Sequence, residues 1–150
     1  MIRQFREEDA AACSELIRTC LERDLSISSS LRSKLREAAT PESLVARSRL
    51  FYVAVFESGE KQILGIVGLD LNEIKLLCVS PAHQRKGIGR TLFTHIQNFV
   101  PSTLFSDIFV YASVQATGFY RSIGFIEKGA VSFDIAGELF PAVFMVHPLQ

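Results

Sequence analysis

Tryptophan is absent from this chain, and cysteine is scarce: only Cys13, Cys20 and Cys78 occur. Three thiols without metal-ligand spacing argue against a metal cluster and fit reduced cysteines in a cytoplasmic setting. Net charge is missing too. Sixteen Lys and Arg offset sixteen Asp and Glu, so there is no broad field to draw in nucleic acid or a polyanionic surface. No stretch approaches the ~18 consecutive apolar residues of a membrane span. The opening MIRQFREEDA carries charges where a signal peptide keeps its apolar region. Repeats, low-complexity tracts and linkers are lacking as well. What is present is 150 residues rich in apolar side chains, twelve of them Phe. That length fits one domain with a proper core.

Along the chain, residues 2–6 suggest a short first strand. Glu7, Glu8 and Asp9 place acids at a helix start, where the dipole favours them. Ala12, Cys13, Leu16, Ile17, Cys20 and Leu21 form one helical face, ending near Arg23 and Asp24. Residues 25–30 suggest a loop. Leu31, Leu35 and Ala38 recur at helical spacing, and Thr40-Pro41-Glu42 opens a further helix with Thr40 as its cap. The period then changes. Residues 50–57 predict an apolar strand, 58–61 a hairpin turn, and 63–71 the partner strand, with Gly65 and Gly68 thinning one face. After a tight turn near Asn72, residues 74–79 predict a third strand, which Pro81 stops. Ile88, Leu92, Ile96, Phe99 and Val100 line one face of the next helix. A strand at 107–112, a short helix at 115–122 and a last pair at 125–135 and 139–147 complete the chain. Strand, helix and strand in succession imply a parallel pair joined by a right-handed crossover. The fold class is α/β, of the α+β kind: a mixed, mostly antiparallel sheet with one parallel pair, flanked by helices.

The chemistry concentrates at residues 73–89, EIKLLCVSPAHQRKGIG. Gln84, Arg85, Lys86, Gly87, Ile88 and Gly89 run from the strand end into a helix start. Free N–H groups of a first helical turn, with its dipole, favour an anion. Arg85 and Lys86 add charge, and Gly87 and Gly89 let a ligand approach the backbone. The third glycine of a dinucleotide fingerprint is missing, since Leu92 stands there, and no Gly-Lys-Ser/Thr of a P-loop follows.

Gln84-x-x-Gly87-x-Gly89 after Val79-x-Pro81 resembles the central motif of the GCN5-related N-acetyltransferase superfamily. A second motif, Ala116-x-x-Phe119-Tyr120-x-x-x-Gly124-Phe125, resembles the C-terminal helix signature of the same superfamily, at matching spacing. An Asn often precedes that Ala by three residues; here it is Ser113, which would sit near the pantetheine arm. The resemblance implies acetyl-CoA as co-substrate, no metal, and an amine-bearing small molecule or peptide as acceptor. It implies that the N–H groups of residues 84–89, with Arg90, hold the pyrophosphate. It implies that the backbone at Leu77, Cys78 and Val79 pairs with the pantetheine amides, on a strand that bulges and splays from its neighbour. An N–H near Leu77 would then face the thioester oxygen.

The same resemblance places Tyr120 where a phenol helps the CoA thiolate leave. A phenol is neutral at pH 7 and can donate; the other reading is a core tyrosine packed beside Phe119. Glu73 lies where relatives carry a general-base glutamate, and could draw a proton through water. It reads equally as a strand-edge acid paired with Lys75. Cys78 beside the thioester reads as core rather than as an acyl-cysteine nucleophile, because no His is near it in sequence. His83 and His95 read as surface residues and His147 as terminal. Phe133, Phe140 and Phe144 fall on the last hairpin, which in this superfamily lines the acceptor site, and are expected to be core or to face an apolar part of the acceptor. Glu138 and Asp134 there read either as attractors of a cationic amine or as plain surface charges. Relatives often show a His in this hairpin where Ala142 stands. The expected activity is acetyl transfer to an amine within a ternary complex, by a monomer or homodimer. The alternative is a non-catalytic acyl-CoA sensor of the same fold.

Overall fold

The computed structural model describes residues 1–150. One seven-stranded sheet organises it, in the spatial order β1-β2-β3-β4-β5-β7-β6. The strands are β1 (Ile2–Gln4), β2 (Tyr52–Glu57), β3 (Ile63–Asp70), β4 (Glu73–Val79), β5 (Asp107–Ser113), β6 (Ile126–Ile135) and β7 (Glu138–Pro148). The helices are α1 (Ala10–Glu22), α2 (Ser29–Ala38), α3 (Pro41–Ser48), α4 (Ile88–Gln97) and α5 (Thr117–Ser122). All strand neighbours are antiparallel except β4 and β5, which the crossover helix α4 makes parallel. No helix is long and apolar enough to cross a membrane.

Two cores form because the strands alternate. On one face α4 and α5 cover Leu69, Ile74, Ile108, Val110 and Met145. Leu92 and Ile96 of α4 are fully buried there, each contributing roughly 1.5–3 kcal/mol. On the other face α1 and α3 pack Cys13, Leu16, Ile17 and Leu44 onto Val53, Val55 and Ile66. The helix starts are capped as their sequences dictate. Ser28 Oγ accepts from the Leu31 N–H at 3.1 Å, and Thr40 Oγ1 from the Ser43 N–H at 3.0 Å.

Several expectations change. Gly65 and Gly68 serve opposite faces, not one. A Cβ on Gly65 would meet Leu92 Cδ1 at 2.9 Å, and one on Gly68 would meet Phe51 Cε1 at 2.7 Å. Three residues apart on a strand, they point opposite ways. Ala12 is exposed and Ala10 takes its place inside. Phe99 is largely exposed, while Phe93 is buried in the α4 core. His95 is not a free surface residue: its Nε2 lies 2.8 Å from the Tyr52 hydroxyl, and burial lowers its pKa.

Candidate active site

The site begins with a flaw in β4. Its pairing with β3 runs Leu69↔Ile74 and then Gly68↔Leu76, leaving Lys75 as an extra, unpaired residue. Such a bulge bends its strand. β4 pairs with β5 at only two positions, Glu73↔Phe109 and Ile74↔Val110. Beyond these the strands part, and residues 75–79 turn their backbone to a gap. The gap holds a cleft of about 150 Å³, walled by Leu76 and Leu77 of β4, Tyr111 and Ser113 of β5, and Ala116 and Tyr120. A larger hollow of about 450 Å³ between α1 and α3 is lined by residues such as Glu7, Glu42 and Arg49 and holds none of the predicted site residues.

At the open end of β4 the glycine turn leads into α4. Gln84 reaches back, its Nε2 donating to the Val79 carbonyl at 3.1 Å. Arg85 has φ of 65° and Gly87 has φ of 83°. Only glycine takes that conformation without steric cost. The first bond inside α4 is Thr91 N–H to Gly87 O at 3.0 Å, so the N–H groups of Ile88, Gly89 and Arg90 are unspent. Arg85, Lys86, Gly87 and Arg90 are exposed. Arg90 donates to the Ser122 carbonyl at 2.9 Å, tying α4 to the end of α5. Ile88 and Gly89 are buried. The need for glycine at 89 is a packing need: a Cβ there would lie 2.7 Å from Phe119 Cε1. At Gly87, where no atom lies within 4 Å of a Cβ, the need is conformational.

Tyr120 forms the floor of the cleft on the α4 side. Its ring packs edge-on to Phe119 and Phe125, both at 5.2 Å between centroids. Its hydroxyl makes no hydrogen bond to the protein. Burial, and secondarily Cys78, push the phenol well above its ordinary pKa of 10, so it stays a neutral donor. Ser113 ends β5 opposite Ala142.

Glu73 lies on the other face. Its parallel partner is Phe109, whereas Ile74 and Val110 point into the α4 core. The carboxylate is half-buried and lies 3.3 Å from Lys75 Nζ. Cys78 meets a partner the sequence did not suggest. Cys20, near the end of α1, donates its Sγ–H to the Val79 carbonyl at 3.4 Å. The neighbouring Cys20 thiol, with burial, raises the Cys78 thiol. His83 Nδ1 is 3.2 Å from Ser80 Oγ. His147 is a packed ring, 5.0 Å from Phe93 and 5.4 Å from Phe125.

The hairpin acids are spent within the protein. Glu138 accepts from the Ser30 hydroxyl and pairs with Lys34 Nζ at 3.0 Å, which fastens β7 to α2. Asp134 accepts from the Gly137 N–H at 2.9 Å. A second fastening also escaped the sequence reading. Gln115 accepts from the Leu25 N–H at 2.9 Å and donates to the Arg23 carbonyl at 2.8 Å. The α1–α2 loop is thus pinned to the chain just past β5, on the far side of the gap. Tyr111 was likewise overlooked, although alternation along β5 gives it away: Ile108, Val110 and Ala112 are buried, and 109 and 111 point the other way.

Residues 22–137 match a family model described as an acetyltransferase (GNAT) domain. Among solved structures, the chain is similar to a GCN5-related N-acetyltransferase from Rhodopseudomonas palustris, with 20% identity and a TM-score of 0.88 over 99% of this chain and 95% of that one. It is also similar to the PaiA N-acetyltransferase of Thermoplasma acidophilum in complex with coenzyme A, with 19% identity and a TM-score of 0.77 over 99% and 98% of the two chains. A chimera of the spermidine N-acetyltransferase SpeG from Vibrio cholerae with hSSAT aligns at 22% identity and a TM-score of 0.66, over 99% and 95%. At these identities the structural likenesses speak for the fold.

Proposed function

Because the chain belongs to the GNAT acetyltransferase family, we propose that it moves an acetyl group from acetyl-CoA to the nitrogen of an amine within a ternary complex. The observation that carries this reading is the two-rung β4–β5 joint, with a cleft beyond it and Tyr120 in its wall. The edge of β4 at residues 77–79, which β5 leaves unpaired, suits the pantetheine amides, as an added strand would. The unspent N–H groups of residues 88–90, with Arg85 and Lys86, suit the pyrophosphate. A relative of the same fold is described in complex with coenzyme A.

In this reading the neutral amine attacks the thioester carbon from the Glu73 face of the sheet. The C–N bond forms, the carbonyl oxygen becomes an oxyanion, and a backbone N–H near Leu77 stabilises it. The C–S bond then breaks. Tyr120, neutral and unpartnered on the opposite face, gives the departing thiolate a hydrogen bond and passes it a proton that the phenol recovers from solvent. The ammonium proton leaves toward Glu73 through water. Glu73 and Tyr120 thus serve opposite sides of one gap. Cys78 takes no part, its raised thiol being a poor nucleophile.

Tyr120→Phe tests this. CoA-thiol release with an amine panel should fall by about 10²-fold in kcat, while the acetyl-CoA Kd stays within about twofold. Full turnover in the variant removes Tyr120 from the mechanism. Tight acetyl-CoA binding by the wild type with no thiol release from any amine supports the sensor alternative instead.

A further inference from the structure

We propose that the acceptor is an arylalkylamine, one amine on a short arm from an aromatic ring, and that its ring docks on Tyr111, Phe109, Phe133 and Phe144. This rests on the acetyltransferase reading above and names the substrate class of that site.

Strand alternation sends Ile108, Val110 and Ala112 into the α4 core and Phe109 and Tyr111 to the opposite face. Across the ladder, Tyr111 stands beside Phe144 of β7. Tyr111 is the hub, with ring centroids 5.1 Å from Phe133, 5.4 Å from Phe144 and 5.8 Å from Phe109. The Tyr111–Phe133 pair is edge-on, at 85° between ring planes. The cluster is built but uncovered: Tyr111 is 39% exposed and Phe133 37%. Aromatic side chains gain by burying their faces, so a flat apolar occupant fits.

Two observations say which occupant. The first is continuity. Tyr111 also walls the transfer cleft, and Phe109 is the direct partner of Glu73 on the same face. Tyr111 to Phe109 is two residues, roughly 7 Å along the strand. That suits a ring separated from its amine by about two carbons. The second is charge. The hairpin acids beside the face are engaged, Glu138 with Ser30 and Lys34 and Asp134 with the Gly137 N–H, which leaves Glu73 at the cleft, beside the partly exposed Lys75. A polyamine needs several free carboxylates and finds only this one. A single amine bearing a ring needs one carboxylate at the cleft and an apolar face beside it.

Thiol release is measured with phenethylamine, n-butylamine and spermidine for the wild type, Tyr111→Ala, Tyr111→Phe and Phe133→Ala. Phenethylamine is expected to exceed both others in kcat/KM by about tenfold or more. Tyr111→Ala and Phe133→Ala are expected to bring the phenethylamine-to-butylamine ratio toward one, chiefly through KM, and Tyr111→Phe to keep it. Equal or better use of butylamine or spermidine overturns the proposal and leaves the acetyltransferase reading standing. So does a Phe133→Ala variant that turns a dimer into a monomer in sedimentation with the ratio unchanged, since the face then joins two copies. If no amine releases thiol, the acetyltransferase reading fails. Ring-proton NMR then decides the docking face by itself. Shifts at Tyr111 and Phe133 with phenethylamine but not butylamine uphold it, and their absence overturns it.

Discussion

A single methyl group at position 89 probes whether the phosphate turn and Tyr120 are mechanically joined. Gly89 is the second residue of α4, and an alanine Cβ there would sit 2.7 Å from Phe119 Cε1 and 2.9 Å from Cζ. Normal carbon contact is about 3.5–4.0 Å, so the ring must move by most of an ångström. Phe119 packs on Tyr120 at 5.2 Å, and the displacement passes to the phenol in the cleft wall. Overpacking of this kind costs about 1–3 kcal/mol. Alanine returns up to about 1 kcal/mol through its better helix propensity. The net loss is about 1–2 kcal/mol, or a Tm drop of about 2–8 °C for a domain of this size. Urea unfolding of Gly89→Ala, Phe119→Leu and the double variant measures the joint directly. The leucine removes the atoms the methyl strikes, so the double variant should recover at least ~1 kcal/mol relative to additivity. Gly87→Ala is the control. It meets nothing within 4 Å, but its φ of 83° costs about 1–2 kcal/mol for any side chain, and it should not couple to Phe119. Strict additivity of Gly89→Ala with Phe119→Leu would refute the packing account of Gly89.

Two further perturbations follow from the geometry. Glu73→Gln should slow turnover most at low pH, where the amine is mostly protonated, with little change in the acetyl-CoA Kd; an equal loss at every pH in a pH–rate profile would assign Glu73 a positioning role beside Lys75. Arg3→Ala should destabilise the fold by about 3 kcal/mol, because it strands the buried Asp9 carboxylate that Arg3 grips at 2.8 and 2.9 Å. The hydrogen bond from Arg3 holds Asp9 below its ordinary pKa of 3.8. That stabilisation is therefore complete above pH 3.8 and is lost as pH falls through the lower, folded-state value. Chemical denaturation against pH should show the wild-type loss below pH 3.8 shrink in the variant; an unchanged slope would separate Asp9 from acid unfolding.

The order of elements was legible because its signals are local. Thr40-Pro41 caps a helix by its own chemistry, and Val79 to Gly89 encodes strand, stop and helix start within a dozen residues. What escaped depends on where two distant segments meet. Period alone shows a thinned strand at Gly65 and Gly68; that α4 lies on one and Phe51 on the other is tertiary. Cys20 and Cys78 are unremarkable until α1 crosses β4. Glu138 suits a cationic ligand only if α2 leaves it free, and Ser30 and Lys34 do not. His95 looked exposed from its place off the apolar stripe, but Tyr52 from β2 reaches it. Tyr111 was the avoidable miss, since alternation along β5 already set it opposite the core. The Gly89 requirement is tertiary, because a glycine kept for a ligand and one kept for a neighbouring ring look alike in a motif.

The two-rung joint between β4 and β5 has a mechanical consequence. Each half of the sheet carries its own cross-strand bonds, but the halves share only the Glu73 and Ile74 pairs. The other ties across the gap include Gln115 to the α1–α2 loop and Glu138 to α2, both near the surface. The molecule is built like a clothes-peg, with a stiff spring at one end and jaws that part along their length. Whatever lies between the jaws and bonds to both edges supplies the missing rungs. A co-substrate there would act as a structural member, tightening the whole sheet by RT ln(1 + [L]/Kd), about 2.7 kcal/mol at a hundredfold excess over Kd. Release of product would then mean giving up part of the architecture along with the ligand.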